Sequence, residues 1–277
     1  MSDINMLDEF LKVGEKAVRA AGRTVEDWVG KTSVRHKGPA DLVTEADFAS
    51  QEVIRTIVLG AFPDHTLLGE EGPPPDASAP AAEYRWIADP LDGTTNYVHR
   101  VPHYCVSLAL ERRGVVVAGA VYDPTRDECF TAAAGRGAAL NGQPMHTSDV
   151  VELSQALAAT GFPAHVTPDS ADLRVFNEAI FHCQAVRRSG SAALNLCYLA
   201  AGRLDLLWAY STKIWDVAAG TLLVQEAGGV VTSPEGGTFV LEDAMYIAAA
   251  NAALYPHLRE LARRALAAPV ADGGRPI

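Results

Sequence analysis

The chain has 277 residues, of which 48% are hydrophobic and 21% are charged, and its 34 acidic side chains outnumber 23 basic ones, giving a formal charge of −11. A chain of this length buries enough apolar surface to fold without disulfide bonds, as one large domain or two closely packed ones. The acidic balance repels a phosphate backbone and argues against general nucleic-acid binding. No apolar run approaches the roughly 18 residues that a membrane-spanning helix needs, so we expect no membrane partner.

The first 60 residues predict two helices. Apolar residues between Leu7 and Trp28 recur at helical spacing, and Asn5 is a suitable N-cap for the first helix. A second helical pattern begins near Asp47, with Thr44 three residues earlier as the partner in a capping box. The first residues lack a basic region followed by an apolar core, so the sequence predicts a cytoplasmic protein.

Two predicted strands, 65–68 and 84–88, flank a proline-rich segment at 73–80 that predicts a loop. Each strand runs directly into acidic residues: Glu70 and Glu71 after the first, Asp89 and Asp92 after the second. Because Pro90 fixes φ between the two aspartates, we expect this segment to be a tight turn that points both carboxylates to one side.

The rest of the chain predicts a meander followed by alternating helices and strands. Three β-rich runs lie between Tyr104 and Ala133. Further along, helical signals occur at 192–201, 217–227 and 254–267, and strand signals at 204–208, 230–232 and 246–249. We therefore predict an N-terminal α+β half at 1–150, a C-terminal α/β half at 151–268 and a flexible tail at 269–277.

The acids at strand ends, together with Asp216 at the start of a late helix, are the chemically informative residues. Several carboxylates packed in a partly dry site have raised pKa values and destabilise the fold unless a cation neutralises them. Oxygen ligands with no nearby histidine or cysteine favour Mg²⁺ or Mn²⁺ over zinc. The acids therefore predict a site for a hard divalent cation.

The segment Gly93, Thr94 and Thr95 follows the second acidic pair and supplies backbone N–H groups. If a helix begins here, these amides form an anion-binding site at its positive end. Acids that hold metal beside amides that hold phosphate indicate phosphoryl chemistry, in which bound metals activate a water and stabilise the leaving oxygen.

Each acid also has an ordinary structural interpretation. The two aspartates could form a turn, the two glutamates could be solvated, and Asp216 could be a helix N-cap. Asp47 could be only the acid of a capping box, and its pattern leaves this role and a catalytic role open. Taken together, the acids favour the metal-binding interpretation.

Several segments resemble the inositol monophosphatase family of lithium-sensitive, metal-dependent phosphatases. They are residues 41–47, 69–72, 86–99, 215–220 and 226–229. They occur in the family order, and the resemblance spans the chain from about residue 5 to about residue 267. It implies a layered α/β fold of the inositol monophosphatase and fructose-1,6-bisphosphatase type, with α, β, α, β and α layers, and it implies a homodimer.

The resemblance also implies roles for individual residues. The first Mg²⁺ would be held by Glu70, Asp89 and the main-chain carbonyl of Leu91, and the second by Asp89, Asp92 and Asp216. A third, weaker ion would depend on Glu70, Mn²⁺ could replace Mg²⁺, and Li⁺ would inhibit. Glu70 and Thr94 would orient the attacking water, with Asp47 hydrogen-bonded to Thr94, which resolves Asp47 toward the catalytic role. The amides of Gly93 and Thr94 would bind the phosphate.

The same resemblance implies a set of substrate-binding residues: Asp92, Gly190, Ser191, Ala192 and Asp216. Inositol-specific members carry a glutamate a few residues before the Trp-Asp pair, and the matching position here is Ala209. Loss of that hydroxyl acceptor weakens binding of a cyclitol ring by about 1–3 kcal/mol. Nearby Lys213 could instead favour a second anionic group on the substrate.

The sequence therefore predicts a hydrolase that converts a small polyol or sugar phosphate, similar to inositol-1-phosphate, to the alcohol and inorganic phosphate. Fructose-1,6-bisphosphate, histidinol phosphate and a nucleotide 3′-phosphate are the alternative substrates. From a different class, the chain could be a regulatory binding protein on the same fold, although a binding module has no use for five metal-facing carboxylates.

Overall fold

The computed structural model describes residues 3–38, 41–72, 82–162 and 166–267. The helices in these residues are α1 (Asp3–Asp27), α2 (Glu45–Ala61), α3 (Thr94–Val98), α4 (Ala171–Ala179), α5 (Ala192–Ala200), α6 (Ile214–Glu226) and α7 (Tyr255–Ala267). The proline-rich loop and the flexible tail predicted from the sequence lie outside the described residues. Within them, no helix combines the length and the hydropathy needed to cross a membrane.

The strands form two large sheets and one hairpin. They are β1 (Val34–Gly38), β2 (Asp41–Thr44), β3 (Thr66–Gly69), β4 (Tyr84–Asp92), β5 (Cys105–Arg112), β6 (Val115–Asp123), β7 (Glu128–Ala133), β8 (Ala138–Leu140), β9 (Gln143–Met145), β10 (Leu157–Thr160), β11 (Ala185–Arg187), β12 (Leu206–Ala209), β13 (Val230–Thr232) and β14 (Tyr246–Ala249). The seven-stranded sheet has the order β3-β4-β5-β6-β7-β8-β9, and the five-stranded sheet has the order β11-β10-β12-β14-β13.

The pairing directions confirm the predicted meander. Strands β5, β6 and β7 pair antiparallel in sequence order, whereas β3 runs parallel to β4 at the sheet edge. In the second sheet β10 pairs parallel with both β11 and β12, and β14 pairs antiparallel with β12 and β13. The predicted division of the chain near residue 150 stays a prediction.

Three apolar clusters show that the molecule has five layers. One cluster lies between helices α1 and α2 and the seven-stranded sheet, around Phe10, Ile54 and Trp86. A second joins the opposite face of that sheet to α5, α6 and the five-stranded sheet, and a third lies between the latter sheet and helices α4 and α7. This order confirms the predicted αβαβα sandwich.

The capping box predicted at the start of α2 is present. The Thr44 side chain accepts the Ala46 N–H at 3.2 Å, and the Asp47 carboxylate accepts the Thr44 N–H at 2.9 Å. The N-cap predicted at Asn5 is wrong, because α1 already begins at Asp3 and Asn5 lies inside the helix. An N-cap pattern fixes a helix start only when the preceding residues leave the helical conformation.

The tight turn predicted around Pro90 is also wrong, because the segment continues as part of β4. Asp89 pairs with Ser107 of β5 and Asp92 pairs with Cys105, so three steps on β4 match two on its neighbour. The extra residue is a β-bulge, which re-aims side chains where a strand nears a functional site. Beyond the bulge, Asp92 bonds to the first residues of α5.

Candidate active site

Acid side chains from three distant parts of the chain meet where the seven-stranded sheet faces the N-terminal ends of α5 and α6. The charges of Glu70, Asp92 and Asp216 all raise the pKa of Asp89. Glu70, Asp92 and Asp216 also line one cavity of about 370 Å³. The sequence-predicted acids are therefore brought together rather than scattered on the surface.

Asp89 is an acid whose charge is offset by a single hydrogen bond from the described residues. Its side chain is buried, and one carboxylate oxygen accepts the Leu91 N–H at 2.9 Å. Burial, followed by the neighbouring carboxylates, raises the pKa of Asp89 well above its usual range. Among the described residues, no lysine or arginine forms an ion pair with it.

Asp92, three residues further along β4, is surrounded by donors from the start of α5. Its carboxylate accepts the Ser191 hydroxyl at 2.5 Å, the Ala193 N–H at 2.7 Å and the Ala192 N–H at 3.3 Å. The Cys105 thiol lies 3.8 Å from the same carboxylate. Burial raises the pKa of Asp92, and these hydrogen bonds lower it in part.

Asp216 occupies the first turn of α6, where its carboxylate accepts the Lys213 N–H at 2.7 Å. It is therefore a capping residue three positions into the helix rather than the N-cap itself. Burial and the charge of Asp92 raise the pKa of Asp216 to about 8. The helix start thus holds the acid in place and leaves its charge poorly compensated.

Asp47 lies beneath the site at the start of α2. Burial raises its pKa to about 7, against the lowering effect of two hydrogen bonds from Thr44, and the charges of Glu71 and Glu70 add to the rise. The predicted hydrogen bond between Asp47 and Thr94 is not formed in this structure. The Thr94 hydroxyl instead donates to the Leu91 carbonyl at 3.1 Å.

The predicted anion-binding amides lie at the start of a short helix. Gly93 has a φ of +94°, the left-handed region that glycine adopts without strain, and α3 begins at the next residue. A Cβ at Gly93 would lie 3.0 Å from the His103 carbonyl oxygen. The backbone conformation therefore requires glycine at this position.

The donor set fits a hard divalent cation. Three carboxylates lie around that of Asp89, which makes a group of four, and the Leu91 carbonyl beside them is the acceptor of the Thr94 hydroxyl. In the part of the chain that the structure describes, no three acidic, histidine or cysteine side chains stand in the geometry of a ready-made metal centre.

The cavity extends from the acids toward the end of β12. The predicted substrate-binding residues Gly190, Ser191 and Ala192 line it, as do Ala209 and Lys213. The Ser191 hydroxyl and the Ala192 N–H are occupied by Asp92 rather than directed at the cavity.

Several residues around the site were missed by sequence reasoning. Arg188 lines the cavity, with its guanidinium 5.7 Å from the ring centre of Phe162. Asn96 also lines it and donates to the carbonyls of His103 and Ser189 at 2.8 and 2.9 Å. Its position after the Asp89–Thr95 segment was the only signal that could have indicated it.

Comparisons with known proteins agree with this geometry. Residues 6–267 match the profile of the Inositol monophosphatase family. Inositol monophosphatase 2 from Solanum lycopersicum is 42% identical over 261 residues, which cover 90% of this chain and 96% of that protein. The Nus factor SuhB from Pseudomonas aeruginosa is 41% identical over 248 residues, covering 87% of this chain and 92% of that protein. The crystal structure of the extragenic suppressor protein suhB from Bartonella henselae superposes with a TM-score of 0.85 at 37% identity, covering 92% and 99% of the two chains.

Proposed function

Because the chain belongs to the inositol monophosphatase family and is a phosphomonoesterase, we propose that it hydrolyses a small polyol or sugar phosphate with Mg²⁺ bound at its cluster of acids. The observation that carries this proposal is the burial of Asp89 among three other carboxylates, with no cationic side chain of the described residues paired to it. Buried charges of one sign persist in proteins when they are neutralised by an ion. Carboxylate and carbonyl oxygens are the ligands that Mg²⁺ prefers.

The proposal assigns each residue a task. Metal ligands are Glu70, Asp89, the Leu91 carbonyl, Asp92 and Asp216. Bound Mg²⁺ supplies an activated water and charge stabilisation for the leaving oxygen. Glu70 and Thr94 orient that water, and the amides of Gly93 and Thr94 hold the ester's phosphate.

Asp47 is the group proposed to take up the proton. Its pKa, raised to about 7, makes it a base near neutral pH. We propose that the reacting enzyme forms the Asp47–Thr94 hydrogen bond in place of the bond from the Thr94 hydroxyl to the Leu91 carbonyl that this structure shows.

The remaining features of the proposal follow the family. We propose that the protein works in the cytoplasm as a homodimer, that Mn²⁺ can replace Mg²⁺, and that Li⁺ inhibits it. The set of buried acids supports an enzyme over a purely regulatory binding protein.

Phosphate release from inositol-1-phosphate, measured with Mg²⁺ and again after chelation, tests the proposed function. Activity that requires Mg²⁺ and disappears in a variant lacking Asp92 supports it. Magnesium-independent release, or no release from any of a panel of polyol, sugar, histidinol and nucleotide phosphates, contradicts it.

A second candidate substrate class, phosphate esters that carry another anionic group, is favoured by the far wall of the cavity. Arg188 and Lys213 both line it, and neither forms an ion pair within the described residues. In a chain with a formal charge of −11, two cationic side chains that line one cavity and form no ion pair with the residues described are a specific feature. Ala209 provides no acidic group there to bind sugar hydroxyls.

Two substitutions distinguish the substrate classes. Ala209→Glu should increase kcat/KM for inositol-1-phosphate, since it restores a hydroxyl acceptor. The increase should correspond to a transition-state free energy that is lower by about 1–3 kcal/mol. Lys213→Ala should weaken fructose-1,6-bisphosphate hydrolysis more than inositol-1-phosphate hydrolysis. If Lys213→Ala affects both substrates equally, the cavity does not recognise a second anion.

A further inference from the structure

Two consecutive residues of α2 bond to the main chain of the two segments that carry the acids. The Ser50 hydroxyl donates to the carbonyl of Pro90, inside the bulge of β4, at 2.7 Å. Gln51 bonds to Glu71, the residue after Glu70, at the exit of β3. Both side chains are buried, at 0% and 8% exposure, so these bonds are not shared with bulk solvent.

Gln51 engages both main-chain groups of Glu71. The Glu71 N–H donates to Gln51 Oε1 at 3.0 Å, and Gln51 Nε2 donates to the Glu71 carbonyl. The carboxamide therefore pairs with Glu71 as a neighbouring strand would. A Cβ on Gly69 would overlap Gln51 Oε1, so glycine at position 69 leaves the space that the Gln51 side chain occupies.

These contacts fix the distance between acids that repel one another. Pro90 lies between Asp89 and Leu91, and Glu71 is adjacent to Glu70. A single turn of α2, anchored by its capping box, thus holds both segments by their backbone. Partners outside the ligand set that orient the ligands commonly change metal affinity by about 10–100-fold.

We infer that Ser50 and Gln51 are positioning residues that set the spacing between Glu70 and the Asp89–Asp92 bulge, so that both can share one cation. This inference rests on the proposed function. It concerns two residues that touch neither the substrate nor the metal, and it makes α2 part of the site's frame.

Calorimetric titration of the full-length protein with Mg²⁺ tests the inference, together with the Mg²⁺ concentration that gives half-maximal activity. Gln51→Leu removes both hydrogen bonds and leaves a shorter, apolar side chain. We expect it to weaken Mg²⁺ binding at least about tenfold. Saturating Mg²⁺ should then restore kcat with little change in KM. Ser50→Ala should weaken binding about fivefold, since it loses one neutral hydrogen bond.

Ile54→Val is the matched control, because Ile54 lies on the same helix and its buried side chain packs only in the apolar core. It should lower the melting temperature and leave Mg²⁺ affinity unchanged. Wild-type affinity in Gln51→Leu, or equal losses in Gln51→Leu and Ile54→Val, would overturn the inference. If Gln51→Leu does not fold, unchanged affinity in Ser50→Ala does the same. A wild-type protein that binds no Mg²⁺ would instead refute the proposed function.

Discussion

Asp89 and Asp92 lie three residues apart on one strand, both are buried, and their surroundings are opposite. Asp92 accepts hydrogen bonds from one hydroxyl and two backbone amides at the start of α5. Asp89 accepts one backbone N–H, and the buried hydroxyl of Ser107, its partner across the sheet, has no hydrogen bond. The bulge between them therefore separates a carboxylate with several hydrogen-bond donors from one that accepts a single backbone N–H.

This difference indicates that Asp92 has a structural role that Asp89 lacks. The donors to Asp92 lie 99–101 residues away, so its carboxylate ties the seven-stranded sheet to the helix layer behind it. The charge on Asp89, in contrast, adds repulsion and little bonding. In the proposed metal site, Asp89 would depend on the cation, whereas Asp92 would serve both the cation and the fold.

The largest expected effect is the loss of turnover when either Asp89 or Asp92 is replaced. Asp89→Asn and Asp92→Asn each remove one negative charge from the proposed metal site, and turnover should fall by orders of magnitude in both while the fold remains intact. Steady-state phosphate release at saturating Mg²⁺ measures this. Near-normal turnover in either variant would reject that residue as a ligand.

The free energy of unfolding should change in opposite directions in the two variants. In the metal-free protein, Asp92→Asn should lower the free energy of unfolding by about 1.5–3 kcal/mol, because hydrogen bonds to a charged acceptor are lost. Asp89→Asn should raise it, because a buried and weakly compensated charge is removed. Urea unfolding with chelator present gives both values. Changes of the same sign would contradict the contrast drawn between the two acids.

Stability of the metal-free protein should fall as the pH rises. The folded protein holds the pKa of Asp47 at about 7 and that of Asp216 at about 8, above the value of about 4 in an unfolded chain. Between about pH 4 and about pH 8, the folded state therefore binds more protons than the unfolded state. The free energy of unfolding declines over this pH range until both groups are ionised.

In the proposed site, Mg²⁺ would neutralise the carboxylates that are ionised at high pH, and so offset the loss of stability that their ionisation causes. The rise in melting temperature on adding Mg²⁺ should therefore be larger at about pH 9 than at about pH 5. Thermal melts at the two pH values, with and without the ion, provide the measurement. An equal rise at both pH values would show that the acids do not meet the ion.

The smallest expected effect is that of Ser107→Ala, which we compare with Ser191→Ala: Ser107 is paired with Asp89 across the sheet, and Ser191 donates to Asp92. Ser191→Ala removes a hydroxyl that donates to Asp92 and accepts the Leu194 N–H as the N-cap of α5, and should cost about 1.5–3 kcal/mol. Ser107→Ala removes a hydroxyl without a partner, and should change stability by less than about 1 kcal/mol. A large loss for Ser107→Ala would mean that the Ser107 hydroxyl has a hydrogen-bond partner after all.

Local patterns in the sequence predicted the features whose causes are local. The capping box of Thr44 and Asp47 involves a single turn of helix, and the glycine at position 93 meets its own backbone requirement. The strand at 246–249 and the alternation after residue 150 also follow from short-range periodicity.

Features that depend on distant partners could not be predicted in this way. Pro90 is compatible with a turn and with a bulge, and the choice is made by pairing of β4 with β5. The donors to Asp92 and the contact between Gln51 and Glu71 join residues that no spacing rule relates. The sequence therefore indicated which acids matter and gave no sign of what holds them.

The dispersal of the acids along the chain has a consequence for protein synthesis. Glu70 and Asp89 leave the ribosome long before Asp216 and the amides that satisfy Asp92 are translated. A nascent chain consequently carries an incomplete set of the proposed ligands until Asp216 has been made. We therefore expect a chain that stops before Asp216 to lack hydrolytic activity.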